Sequence, residues 1–157
     1  MTDWYYGSLL ALLLTASWFD IKSRKVPNQL ILVGILVGVV ANAWMGTSER
    51  FSFALYGLLL GFCIPIIPYA LNWIGAGDVK LFSVVGLFLG PEGIIDAAIY
   101  TALCGGVLAL YYVIKMRFIT NIYKVPFAHT MNKPTLPYVL AITGGALMTI
   151  FLADNLV

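Results

Sequence analysis

"FSFALYGLLLGFCIPIIPYAL", Phe51–Leu71, carries no charged residue and is long enough to cross a bilayer as a helix. A transmembrane helix needs about 20 apolar residues, within a range of about 17 to 25. Similar runs lie on both sides of it: Trp4–Phe19, Gln29–Met45, a shorter one at Ile74–Gly90, then Gly93–Ile114 and Leu136–Ala153. The pattern predicts an all-α polytopic membrane protein, a bundle of about six transmembrane helices forming one membrane-embedded domain over residues 1–157. Composition agrees. The chain is 61% hydrophobic and 10% charged, with mean hydropathy +0.94, against roughly 25% charged residues in ordinary soluble domains. A β-barrel fits poorly, because the runs are continuous rather than alternating and too few for eight strands. The first run has Asp3 rather than a basic segment before it and the charged stretch Asp20–Lys25 behind it, so it reads as a retained helix and not a cleaved signal.

Basic residues alternate by loop. The first loop holds Lys22, Arg24 and Lys25, the second Arg50 beside Glu49, the third leads into Lys80, the fourth has Glu92 and no base, and the fifth holds Lys115, Arg117, Lys124 and Lys133. The positive-inside rule then puts the first, third and fifth loops in the cytoplasm and both termini outside.

That topology isolates a second stretch, "NWIGAGDVKLF", Asn72–Phe82. Asp20 closes the first helix and Asp78 opens the fourth, so both fall at the cytoplasmic boundary, while Asp3, Glu49, Glu92, Asp96 and Asp154 map to the outer half. Val79 to Gly90 spans only about 18 Å of helix, against a hydrocarbon core of about 30 Å. The helix must start earlier, continue past Pro91, or sit in a thinned bilayer. Gly75 and Gly77 permit a tight turn and close approach of another backbone or a substrate. An ordinary structural role accounts for the same residues: Asp78 as a helix N-cap and Asp20 as a boundary charge paired with Lys22 or Arg24.

If the two carboxylates converge, a specific chemistry follows. Two adjacent carboxylates cannot both ionise cheaply, so they share a proton; one serves as base toward water and the other donates to a carbonyl oxygen. This hydrolyses a peptide without metal or covalent intermediate. Helix ends would divide the roles, the C-terminal end near Asp20 disfavouring negative charge and the N-terminal end near Asp78 favouring it. Lys22 and Lys80 complicate that division.

"GAGDVKL", Gly75–Leu81, resembles the Gly-x-Gly-Asp signature of intramembrane-type aspartyl proteases, and "DIKSRKVPN", Asp20–Asn28, resembles the first aspartate block of the type IV prepilin peptidases. "LPYVLAITGGAL", Leu136–Leu147, is similar to that family's final helix. The resemblance covers nearly the whole chain. It implies catalytic roles for Asp20 and Asp78, with Gly75 and Gly77 shaping the second site. It also implies a substrate, a prepilin or pseudopilin whose short basic leader is removed after a glycine at the cytoplasmic face of the bacterial inner membrane. Lys22, Arg24 and Lys80 are candidate contacts for an acidic residue just inside the mature pilin. Larger family members carry a cytoplasmic domain with paired Cys-x-x-Cys motifs and N-methylate the new terminus. Here the cysteines are Cys63 and Cys104, in separate apolar runs, so cleavage without methylation and without a zinc site is expected. The small size looks most like peptidases of tight-adherence (Flp-type) pilus systems, with the pilus assembly machinery as a partner.

No cofactor, metal, nucleotide or nucleic acid is indicated. His129 and the fifth loop, Lys115–Pro134, are open to roles in substrate or anionic-lipid binding. Asp96, near the opposite face, serves as a control. Pro65 and Pro68 are expected to kink the third helix, while Gly34 with Gly38, Gly57 with Gly61 and Gly144 with Gly145 are expected to allow close helix packing. Trp4, Tyr5, Tyr6 and Trp73 suit an interfacial belt. Two other functions stay open: a small proton-coupled transporter, and a non-catalytic pilus assembly subunit.

Overall fold

The computed structural model describes residues 3–23, 26–44, 48–123 and 138–155. The described residues form helices α1 (Asp3–Ser23), α2 (Asn28–Trp44), α3 (Ser48–Ala70), α4 (Ala76–Tyr123) and α5 (Tyr138–Asn155). The six apolar runs are thus carried by five helices, because α4 contains two of them. It breaks at Gly90, whose φ of 74° and ψ of −176° lie where essentially only glycine is found. The local sequence explains the break. Pro91 has no N–H to give the preceding turn and pushes the residue before it out of the helical region. A Cβ on Gly90 would also collide with the Phe53 ring.

The break resolves the length problem of the fourth run. α4 starts at Ala76 and the chain continues beyond Pro91 in a second arm, so the 76–89 arm need not span alone. That arm is the centre of the bundle. Residues 81–88 are all buried, and they pack with Tyr5, Leu9, Leu13 and Ala16 of α1, Ile31 and Ala41 of α2, and Val139, Ile142 and Ala146 of α5. α3 lies closest. A Cβ on Gly57 would strike the Gly86 carbonyl, and one on Gly86 would strike that of Gly57, so these helices meet backbone to backbone. Gly61 faces Phe82 and Ser83 in the same way, and Gly145 packs on Thr101 and Ala97. Small residues at such crossings provide the close van der Waals contact that drives helix association in lipid.

The outer surface is apolar. Trp44, Ile67, Val107 and Phe151 are at least 69% exposed, on four different helices, as suits a bundle that faces lipid. Glu49–Ala70 and Ala76–Lys115 are long and apolar enough to cross a membrane.

α3 carries Pro65 and Pro68 in its last two turns. Two local expectations are corrected. The fifth loop is shorter than Lys115–Pro134, since α4 stays helical to Tyr123; His129, Lys124, Lys133 and Pro126 lie outside the described residues. Tyr5 belongs to the core and not to an interfacial belt: it is 1% exposed, and its hydroxyl donates to the Phe88 carbonyl at 2.9 Å and to Asn42 Oδ1 at 3.3 Å. Trp4 and Trp73, by contrast, are exposed.

Candidate active site

α3 ends in a Schellman motif. Trp73 N–H donates to the Pro68 carbonyl and Asn72 N–H to the Tyr69 carbonyl, each at 2.9 Å, with Asn72 in the left-handed region at φ 58°. Asparagine is one of the few residues other than glycine that visits this region readily. The chain then turns at once into α4. The Gly75 carbonyl accepts the amides of Asp78 (3.1 Å) and Val79 (3.4 Å), which makes Gly75 the N-cap and Asp78 the third helical residue. The Asp78 side chain reaches back, and its Oδ2 accepts the Gly75 N–H at 2.9 Å. This is the return half of a capping box. A capping role is therefore real, and it fixes the direction of the Asp78 carboxylate.

Asp20 lies in the last turn of α1, which extends to Ser23, and is 7% exposed. Its Oδ2 accepts the Val139 amide at 3.4 Å. One turn earlier, the Ser17 and Thr143 hydroxyls share a hydrogen bond of 2.8 Å, fastening the same two helices. Asp20 thus sits at the end of α1 and also at the start of α5. Asp78 takes the N-cap amide of α4, and Asp20 takes an amide from the first turn of α5. The C-terminal end of α1 and the start of α5 thus act on Asp20 in opposite senses, while Asp78 lies in the first turn of α4.

The two aspartate-bearing segments meet. A Cβ on Gly77 would lie 3.4 Å from the Val26 Cβ, so the α1–α2 connection rests on the turn before Asp78. Lys80 Nζ donates to Asn28 Oδ1 at 3.2 Å. The Asp78 carboxylate lies within electrostatic reach of Asp20 and of the Tyr138 hydroxyl. Among the described residues no three His, Cys, Asp or Glu side chains gather into a cluster, so the aspartates stand as a pair.

The remaining candidates divide. Gly75 and Gly77 form the turn itself. Lys80 is exposed and turned to Asn28, Lys22 is exposed on the last turn of α1, and Arg24 lies outside the described residues. Asp96 is exposed six residues beyond Gly90, which packs on Phe53 at the opposite end of α3 from the Asn72 turn. Tyr138 and Val139 were not singled out by the sequence. Their only signal was the Pro137–Tyr138 start of the last apolar run.

The model of the type IV leader peptidase family matches residues 8–110, an interval containing both aspartates and the turn between α3 and α4. The chain belongs to the type IV leader peptidase family. Its similarity to curated leader peptidases extends over almost all of its own length. It is 30% identical over 155 residues to the type 4 prepilin-like proteins leader peptide-processing enzyme of Escherichia coli O78:H11, covering 92% of this chain and 50% of that one. It is 24% identical over 150 residues to the prepilin leader peptidase/N-methyltransferase of Bacillus subtilis, covering 94% and 55%. The enzyme of that name from Burkholderia pseudomallei is 28% identical over 112 residues, covering 65% and 35%. The chain therefore spans about half the length, or less, of these leader peptidases. No solved structure matches it significantly.

Proposed function

We propose that this protein is a membrane aspartyl endopeptidase that removes the short basic leader of prepilins or pseudopilins at the cytoplasmic face of the bacterial inner membrane, with Asp20 and Asp78 as its catalytic pair. The observation that carries this reading is the electrostatic proximity of two carboxylates from segments 58 positions apart in sequence, each oriented by a helix-start amide. One carboxylate takes a proton from water as the oxygen adds to the scissile carbonyl carbon. The other, protonated, donates to the carbonyl oxygen, and collapse of the tetrahedral species releases the amine of the mature pilin. A site at the membrane boundary suits a substrate that is part polar leader and part apolar helix. Gly75, whose Cβ position meets only Asp78 Oδ2 and the Gly77 nitrogen within 4 Å, leaves room beside Asp78 for an extended backbone, and Gly77 lets Val26 close on the turn.

The substrate reading includes Flp-type prepilins and contact with a pilus assembly machinery. Cleavage by these residues without methyl transfer is also proposed, since Cys63 and Cys104 lie on different helices, α3 and α4, and form no Cys-x-x-Cys pair. The names of the B. subtilis and B. pseudomallei relatives include N-methyltransferase activity, so mass spectrometry of the product N-terminus is the decisive check. The family membership disfavours the transporter and assembly-subunit readings.

The test is cleavage of a co-expressed Flp-type prepilin in membranes, with Asp20→Asn, Asp78→Asn and Asp96→Asn compared at matched protein levels. Processing is lost in the first two and retained in the third. Processing that survives either of the first two substitutions overturns the two-aspartate mechanism.

A further inference from the structure

Hydrogen bonds join α1 to α5 at two successive levels. Asp20 Oδ2 accepts the Val139 amide at 3.4 Å, and the Ser17 and Thr143 hydroxyls lie 2.8 Å apart. Ser17 is three residues before Asp20 and Thr143 four residues after Val139, so the two pairs are neighbouring rungs on facing sides of antiparallel helices. All four residues are buried. The hydroxyl rung has a direction. Thr143 gives its one hydroxyl hydrogen to the Val139 carbonyl at 2.8 Å, which leaves Ser17 as the donor between the helices and Thr143 Oγ1 as its acceptor. Donation thus runs from Ser17 through Thr143 to the backbone of the residue whose amide meets Asp20.

The rungs differ in strength. Val139 is the second residue of α5, where an amide has no intrahelical acceptor and is free to serve the carboxylate. Its bond is longer than the roughly 2.7 to 3.2 Å of a well-made N–H···O contact, so a small slide or rotation of α5 would break it. The hydroxyl pair, by contrast, is at full hydrogen-bonding distance. Helices in lipid have no hydrophobic drive toward one another, and polar pairs between them help to fix their register. We propose that Ser17 and Thr143 are positioning residues for Asp20: their hydroxyl pair holds α5 in register against α1, so that the Val139 amide stays on the carboxylate. This inference rests on the catalytic reading of Asp20 above. Thr149 supplies a matched comparison. It is on the same helix and, at 6% exposed, as buried as Thr143, but its hydroxyl bonds only the Gly145 carbonyl of its own helix, at 3.0 Å, among the described residues.

The test uses the full chain, purified and reconstituted with a prepilin bearing a short basic leader, and compares Ser17→Ala, Thr143→Val, Thr143→Ser, Thr149→Val and Asp20→Asn below the unfolding temperature of each. Thr143→Val keeps the branched shape and removes the hydroxyl, while Thr143→Ser keeps the hydroxyl. Ser17→Ala and Thr143→Val should each lose about tenfold or more in kcat, the scale of a lost hydrogen bond to a carboxylate, with KM within about twofold of the native value. The double variant should be no worse than the more impaired single one, as for partners in one interaction. Thr143→Ser and Thr149→Val should keep native kcat. Native kcat in Thr143→Val overturns the proposal even where Asp20→Asn is inactive and Ser17→Ala fails to fold. An equal loss of kcat in Thr149→Val or Thr143→Ser also overturns it, since packing and not the hydroxyl pair would then be responsible. Native cleavage by Asp20→Asn is a separate result, which overturns the catalytic reading of Asp20 and this inference with it.

Discussion

Lys80 on α4 donates to Asn28 at the start of α2, joining positions 52 residues apart on the exposed rim of the site. Asp78 lies two residues before Lys80, and Asn28 ends the segment that begins at Asp20, so this bond ties together the two stretches that carry the carboxylates. Its exposure limits what it contributes alone. Lys80→Ala and Asn28→Ala should each lower leader cleavage by less than about tenfold, and the double variant should be no worse than the more impaired single one, as expected for partners in one interaction. A double-mutant cycle on cleavage rates checks this.

Gly77 is tolerant of a methyl group but not of a long side chain. An added Cβ would meet Val26 at 3.4 Å, an ordinary van der Waals distance, so Gly77→Ala should fold and cleave at a rate near the native one. Gly77→Leu would push Val26 away from the turn before Asp78, and cleavage should fall more than about tenfold while the protein still accumulates in the membrane. Cleavage normalised to protein level separates the two variants.

The contact between Gly57 and Gly86 leaves no such latitude, because backbone faces backbone. Gly86→Val should destabilise the bundle by about 2 kcal/mol or more, the scale of overpacking in a dense core. Loss of folded protein on thermal or denaturant titration in detergent, with cleavage lost in proportion to the unfolded fraction, is the expected result.

Tyr5 lies at the other end of the bundle from Asp20. Removing its hydroxyl leaves the Phe88 carbonyl and Asn42 without a buried donor, at a cost of about 1 to 3 kcal/mol. Tyr5→Phe should unfold at a lower temperature and, below that temperature, keep native kcat. The pairing of those two measurements distinguishes a scaffold role from a role at the aspartates.

A shared proton makes activity depend on the protonation of the pair and not of either residue alone. Cleavage should follow a bell in pH whose macroscopic ionisations belong to both aspartates together. A profile flat from acid to neutral pH would contradict the mechanism.

Much of this was legible in the chain. The six apolar runs, the common boundary of Asp20 and Asp78, and the small-residue crossings all follow from length, charge and residue size. The inward face of each helix was not legible. In a membrane bundle the lipid-facing and core-facing sides are both apolar, so nothing in "WYY" separates buried Tyr5 from exposed Trp4. Helix ends were read too early at Asp20 and too late at Asp78, because carboxylates mark a boundary only to within a turn. Pro91 signalled a stop, yet the helical hydrogen-bond pattern resumes behind it once Gly90 absorbs the change in direction. The involvement of Val139 depends on a contact across 119 residues, and no local pattern encodes such a distance.

The bond between Asp20 and Val139 also has a consequence in time. A chain made at about 5 to 20 residues per second reaches Val139 on the order of ten seconds after Asp20, given the 119 residues between them. Asp78 follows Asp20 by 58 residues, so it is in the second half of that interval that both carboxylates exist while the amide that receives one of them has not been synthesised. On the proposed two-aspartate mechanism, the site is completed only once α5 has joined the bundle.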